Sequence, residues 1–561
     1  MHRAVGFFPG LAGLLVALAL TGCSAAATPP PLAPSGGADT GPVTPKVNRL
    51  VVAMPAPASE GNNPSRLSTP PIVAMKLSYE YFASIDNATG KFVPELATEW
   101  RLEPDGKSYR FKLRPGVQFH RGYGDMTSAD WAHTMADLAH PESLHAYAGD
   151  YRTLIEKSDE VGPLEIVYRL TRPDAAFLSN ISHQLSGLEI HSKKEFDEKG
   201  NPSLSEKASA GTGPYEFLER QQGAYVRWKK VDYKHWRVTP DFPEMELRWI
   251  NEASTRLAGL LTGELHMAPL PVDLQAQAER GGLKIAKGTI PGVRLFLHLR
   301  GMYLNDIRDP SKGYKHLDSP IMDKRVRQAL SKAVNRDELN KTLLGGKGET
   351  LILNHYEPKT RKAWNPDWEK RFPEMYGFDA AKARALLAEA GYGPAKPLNL
   401  QMVMVTLAEA PNSQDIQEAI ANYWRNIGIN VQLLTIDRAE DTRRGQALEW
   451  QAASSIFAAP SDQWTGVWVF NTYFNRASAP NAVQVPEIDT LFQKTRATLN
   501  EPEQEKLWRQ MGDQIFDSFQ HVPLFWLPVE MLYNPTIVGS YQFPGSVSGL
   551  YTKLETVKAA R

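Results

Sequence analysis

A single cysteine occurs in 561 residues, at position 23. No disulfide can form within the chain, so a body of this length must be held by its apolar core alone. Charge bias is also missing. Lys plus Arg and Asp plus Glu each number 63, and nothing in that balance favours a polyanion, so no nucleic-acid partner is expected. Beyond the amino-terminal stretch no apolar run is long enough to cross a bilayer. Familiar catalytic signatures are absent as well. "LLGGKGET" (343–350) lacks the spacing of a phosphate-binding loop and reads as a loop after a helix. H-E-x-x-H does not occur, and "PGSVSGL" (544–550) has Val547 where a nucleophile elbow needs serine. His133, His140 and His145 lie close in sequence, but no thiol or firm carboxylate pattern joins them, so they read as helix-surface histidines. Carboxylate groups such as Asp159–Glu160, or Asp437 with Glu440–Asp441, read as solvated charges. No catalytic residue, metal site or cofactor is assigned, and the chain is not expected to be an enzyme.

What is present begins with the cysteine itself. Met1-His2-Arg3 is weakly basic, residues 5–20 are almost all apolar or small, and Leu20-Thr21-Gly22 precede Cys23. This is the layout of a secretory signal peptide, and the tetrapeptide resembles the lipobox of bacterial lipoproteins. The resemblance implies removal of residues 1–22 and lipid attachment at Cys23, several acyl chains together giving firm membrane anchoring. Residues 24–46, "SAAATPPPLAPSGGADTGPVTPK", have no apolar periodicity, so residues 23–47 read as a lipidated cysteine and a leash that reaches at most about 70 Å.

The body reads as mixed α/β. Tyr109, Phe111 and Leu113 alternate with basic residues, Met245, Leu247 and Trp249 with Glu246 and Arg248, and Val293, Leu295, Leu297 and Leu299 with Arg294, Phe296, His298 and Arg300. Each series predicts a strand. Thr127 to Asp130 forms a candidate capping box before "WAHTMADLA", a helix begins near Asp323 with Val326, Leu330, Ala333 and Val334 on one face, and Asp379 can cap "AAKARALLAEA". Residues 398–405, 416–427 and 429–434 read as strand, helix and strand, a βαβ unit with two parallel strands.

Several segments, in order, resemble the family 5 extracellular solute-binding proteins, the oligopeptide, dipeptide and nickel receptors of bacterial ABC importers. They are "FVPELATEWRLEPDGKSYRFKLRPGVQFHRGYGDMTSADW" (92–131), "GTGPYEFLERQQGAYVRWKKVDYKHW" (211–236), "TRLAGLLTGELHM" (255–267), "DKRVRQALSKAVNRDELNKTLLGGKGE" (323–349), "FDAAKARALLAEAGY" (378–392) and "NIGINVQL" (426–433). Read for their physics, most of these signatures are structural: Asp105-Gly106 is a tight turn, and Gly211 and Gly213 permit backbone that a side chain would forbid.

The resemblance implies a type II periplasmic-binding-protein fold, two α/β lobes with a ligand cleft between them. Crossings near residues 293–300 and 521–526 give lobe I as 48–295 plus 522–561 and lobe II as 296–521. It also implies hinge closure around a small-molecule solute, an oligopeptide or dipeptide, and delivery to the permease and ATPase subunits of an importer. A monomer in the periplasm or at the cell surface, held to the membrane by its lipid anchor, is expected. In peptide-binding relatives an aromatic residue and an aspartate late in lobe II meet the ligand, the aspartate pairing with its amino group. The matching stretch here, "SIFAAPSDQWTGVWVFNTYFN" (455–475), places Asp462 as the cation partner, with Trp464, Trp468 and Tyr473 beside it, but lacks the family's Asp-Pro step. Glu60, Asn62 and Asn63, after the first strand, are further ligand candidates, since loops at strand carboxyl ends commonly carry contacts. Arg121, where relatives more often carry an acidic residue, argues for an unusual ligand rather than another fold. An extracytoplasmic hydrolase or a sensor lipoprotein on the same fold is the alternative.

Overall fold

The structure, a computed structural model, describes residues 44–561 except 58–59, 68–71, 87–90, 146, 183–186, 201–208, 307, 355, 357–362, 405–406, 408–409, 411, 437, 461–482, 544 and 546–550. Cys23, the signal sequence and nearly all of the leash lie outside the described residues.

Two long antiparallel strands, Lys284–Arg300 and His521–Tyr533, form the middle of an 11-stranded sheet. On one side of the pair follow Ala453–Pro460, Leu398–Met404 and Ile429–Thr435. On the other lie Met267–Ala268, Arg49–Met54, Glu244–Trp249, Tyr225–Lys230 and Tyr215–Gln221. The expected βαβ unit is present. Leu398–Met404 and Ile429–Thr435 run parallel with Leu398 opposite Ile429, and the connecting helix is Ser413–Asn426, three residues longer at its start than the apolar spacing suggested. Ile416, Ile420 and Trp424 on that helix join the main apolar cluster, and Gln417, also buried, donates from Nε2 to the Val403 carbonyl at 3.0 Å.

A separate antiparallel sheet, Ala97–Leu102, Ser108–Leu113, Glu165–Leu170 and Ile155–Gly162, has a core of its own built on Phe111, Trp131, Tyr168 and Phe177. Its helix, Ser128–Leu138, starts at the predicted capping box: Thr127 and Asp130 satisfy each other's backbone reciprocally. Asp323 and Asp379 likewise accept from the Arg325 and Lys382 amides at the starts of Lys324–Lys332 and Ala380–Glu389.

Three sequence readings change. His145, read as a helix-surface histidine, lies before helix Ala148–Leu154, is buried and stacks on Tyr151 with ring centroids 5.6 Å apart. Gly211 is required by space rather than by dihedral freedom, since a Cβ there would lie 2.0 Å from the Ser78 carbonyl oxygen. Asp441, read as solvated, is buried, and its carboxylate pairs with the Arg300 guanidinium.

The long pair is not regular along its length. Lys284 to Lys287 pair cleanly with Tyr533 to Glu530, and Val293 to His298 pair with Leu527 to His521, but the register shifts on both sides of Pro291, which faces Pro528, and again between Leu295 and Phe296. Proline cannot donate to a ladder, so two prolines opposite each other interrupt the pairing. Gly292 is obligatory at this place, because a Cβ would come within 1.4 Å of the Gly545 carbonyl oxygen. The break therefore falls at residues 287–293 and 527–530, just before the stretch read as the first crossing and just after the stretch read as the second.

Candidate functional site

Residues Val293 to Arg300 were read as alternating, and they do alternate, but neither face is open to solvent from Gly292 onward. Leu295, Leu297 and Leu299 join the main core with Val326, Leu330 and Ile456. Arg294, Phe296, His298 and Arg300 occupy the other face and are at most 2% exposed.

Residues directly opposite on paired strands share a face. His298 is thus flanked by Ser455 and His521, Phe296 by Phe457 and Pro523, and Arg294 by Trp526. The rings of His298 and His521 have centroids 4.9 Å apart, and Phe296 stands edge-on to His298 at the same separation. Phe296, Leu351 and Trp526 form a small apolar cluster of their own against Phe457. The Ser455 hydroxyl, in a residue 1% exposed, has no hydrogen-bond partner among the described residues. Burial, with a smaller effect from Arg294, pushes the His521 imidazole down to about 3, so it is neutral at ordinary pH. Arg300 ends the row, with Nη2 3.2 Å from Asp441 Oδ2 and its guanidinium 5.7 Å from the Trp450 ring. The row can offer imidazole and hydroxyl hydrogen bonds, guanidinium charge and flat aromatic walls in a place shielded from water.

Strand Ala453–Pro460 pairs beside this row and ends with Pro460 opposite Val293. The predicted contacts Asp462, Trp464, Trp468 and Tyr473 follow it and lie outside the described residues. Glu60, Asn62 and Asn63 are described, and their side chains are engaged within the protein. Glu60 accepts from the Gly223 amide at 2.8 Å and from Arg220 Nη1 and Trp249 Nε1, each at 3.0 Å. Asn62 Oδ1 accepts from Arg220 Nε at 3.2 Å, and Asn63 Oδ1 caps Pro64–Arg66 by accepting from the Ser65 amide at 3.0 Å. These three side chains shape the loop after the first strand.

Sequence reasoning did not foresee that the Arg294–His298–Arg300 row is buried. The available signal was an Arg-x-Phe-x-His-x-Arg series directly after a Pro-Gly step, on a strand whose other side is wholly aliphatic. Arg121, marked as a departure, donates from Nη2 to both Glu195 carboxylate oxygens at 2.8 and 2.9 Å, so it ties its loop to helix Lys193–Lys199. Among the described residues no group of three or more His, Cys, Asp and Glu could hold a metal ion, and no helix is long and apolar enough to cross a membrane.

The family described as "Bacterial extracellular solute-binding proteins, family 5 Middle" matches residues 91–479. The chain belongs to this family. Among curated relatives, this solute-binding protein is 25% identical over 455 residues to the dipeptide-binding protein of Escherichia coli strain K12, covering 77% of this chain and 80% of that protein. Among solved structures it is similar to the periplasmic binding protein DppA from Helicobacter pylori in complex with the peptide STSA, with a TM-score of 0.72 and 22% identity over 91% of this chain and 98% of that one. It is also similar to NikA from Brucella suis in complex with Fe(III)-EDTA, with a TM-score of 0.74 and 19% identity over 91% and 99%. The fold of this solute-binding protein is that of the type II periplasmic binding proteins.

Proposed function

We propose that this protein is the receptor of a bacterial ABC importer that captures a peptide-like solute between two lobes, residues 48–295 plus 522–561 and residues 296–521, and releases it to a permease. One observation carries the reading: the long strand pair loses register at Pro291 and Pro528, and the buried polar row begins directly beyond that break. A paired ribbon that loses register over a short stretch bends there most easily, and groups that line the bend from both sides meet a ligand together only when the halves close. Dipeptide- and peptide-binding relatives support the ligand class.

The chain offers Arg294, His298, His521 and Ser455 for polar contacts and Phe296 and Phe457 for apolar ones. Asp462, Trp464, Trp468 and Tyr473 complete the site, and Glu60, Asn62 and Asn63 hold its entrance loop. Capture and release require no bond chemistry. Cleavage before Cys23 and lipidation of that residue place the receptor in the periplasm or at the cell surface, tethered to the membrane by residues 23–47.

A library of di- to pentapeptides tests this by thermal shift. A bound peptide at a hundredfold excess over Kd stabilises by about 2.7 kcal/mol, a rise of a few degrees in Tm for a protein this large. A melting temperature unmoved by every peptide class overturns the peptide assignment. Peptides cut during the incubation, detected by mass spectrometry, overturn simple capture.

A further inference from the structure

We infer that Asp174 and Arg496 form the latch that holds the closed receptor shut, an inference that rests on the two-lobe reading above. The residues are 322 positions apart, yet Arg496 Nη2 lies 2.5 Å from Asp174 Oδ2, with side chains only 9% and 1% exposed. The backbone joins in: the Ala175 amide donates to the Arg496 carbonyl at 3.0 Å. Asp174 is held in place from its own side, since its other carboxylate oxygen accepts from the Ala176 amide at 2.8 Å. It sits in the segment after strand Glu165–Leu170 of the separate four-stranded sheet, whereas Arg496 closes helix Pro486–Ala497. No strand pairing connects the two places.

Charge reinforces the geometry. Asp150, nearby on the Asp174 side, has its carboxyl raised, first by burial and also by Asp174, with Arg496 and Arg172 working against the rise. Arg496 therefore answers two carboxylates at once.

Only one other ion pair among the described residues joins the same two halves. Lys347 donates to Glu530 Oε2 at 2.7 Å and to Gln275 Oε1 at 2.5 Å. Its surroundings differ. Lys347 borders the strand Glu349–Thr350, which is itself paired to Trp526 and Phe525 on the long strand. The contact sits on the hinge ribbon, at the edge of an open groove of about 690 Å³ lined also by Glu279, Lys284 and Tyr533. Bending at Pro291 and Pro528 carries Lys347 and Glu530 almost together, while Asp174 and Arg496, with no shared sheet, must part. When they part, water solvates both charges, so the pair favours closure without locking it. Asp174 and Arg496 are positioning residues: they set how long a captured solute stays.

Small-angle scattering of the ligand-free, full-length receptor tests the latch without depending on which solute is bound. Asp174→Asn and Arg496→Gln each leave one charge buried and unpaired in the closed form alone, so both are expected to raise the radius of gyration. Arg496→Lys, which keeps the charge, and Lys347→Met, which cuts the hinge contact, are expected to stay at the wild-type value. Circular dichroism confirms that each variant is folded. For a peptide that shifts the wild-type melting temperature, Asp174→Asn should weaken binding about 10- to 100-fold, mainly through faster release. If Asp174→Asn and Arg496→Gln scatter like wild type, or if Lys347→Met opens as far as they do, the latch assignment fails. Failure of every peptide to bind would instead strike the solute class and leave the scattering comparison standing.

Discussion

Val293, Leu295, Leu297 and Leu299 point to one side of the central strand, Arg294, Phe296, His298 and Arg300 to the other, and all eight are buried. On the aliphatic side burial is favourable residue by residue, because each side chain leaves water for a close-packed cluster shared with helices Lys324–Lys332 and Ser413–Asn426. On the polar side each group loses hydration and is tolerated only where something replaces it. Asp441 does this for Arg300. The Ser455 hydroxyl, without a partner among the described residues, marks where hydrogen-bonding capacity is held in reserve. One face is aliphatic core and the other is the polar row proposed to meet the solute, and both are covered.

The largest effect should come from breaking that balance at Arg300. Arg300→Met strands the Asp441 carboxylate in the interior and is expected to cost about 3–5 kcal/mol in urea unfolding, whereas Arg300→Met with Asp441→Leu should recover most of the loss. A double variant as unstable as the single one would show that the pair is held by more than mutual neutralisation. Leu297→Ala, on the opposite face, should cost about 3 kcal/mol through lost burial and the cavity left behind. A loss below about 1 kcal/mol would mean that this side collapses easily, and the contrast between faces would weaken.

Acid should act on the polar face selectively. In the unfolded chain the His521 imidazole takes a proton near its ordinary value, but in the fold it does so only near 3. Protonation thus favours unfolding as pH falls from about 6.5 toward 3. His120, pushed down to about 4 chiefly by burial, adds to the same slope. His191 opposes it: burial works against the charged form there, but Asp137 raises it overall. Denaturation midpoints measured from pH 7 to 4 should fall, and His521→Phe should flatten the decline. An unchanged slope in that variant would remove His521 from the account. The smallest effect belongs to Ser455→Ala. Losing a hydroxyl that has no partner should change stability by less than about 1 kcal/mol. The variant should nevertheless blunt the melting response to any peptide that binds wild type. A full response would take Ser455 out of the site.

Local order was largely legible. The Thr127–Asp130 box and the capping residues Asp323 and Asp379 announce their helices because pairing a side-chain oxygen with an amide two or three residues away is a local geometric requirement. Strand alternation at Tyr109, Phe111 and Leu113 works for the same reason: successive side chains must point to opposite faces. Asp441 was misread because its partner, Arg300, is 141 residues away and nothing near either residue signals the other. The Lys347 contact shows the same limit: "LLGGKGET", read as a loop, is one from Leu344 to Gly348 but ends in strand Glu349–Thr350, and its lysine reaches Gln275 and Glu530 across the molecule. For Glu60 and Asn62, read as ligand candidates, the donor they meet inside the protein is Arg220, a residue of a distant strand, whereas Asn63 caps its own turn.

By itself, the order of residues determined the helix starts, the strand faces, the parallel βαβ unit and, through a series of family signatures, the architecture. Each of these depends on neighbours within a few positions or on a pattern that repeats along the chain. Tertiary structure alone decided that the second face of the central strand is buried, that its register breaks at Pro291 and Pro528, and that Asp174 meets Arg496. Such pairings arise where separate segments pack against one another. The free energy of a charge depends on what lies within a few ångströms of it, and that neighbourhood is assembled only by the fold.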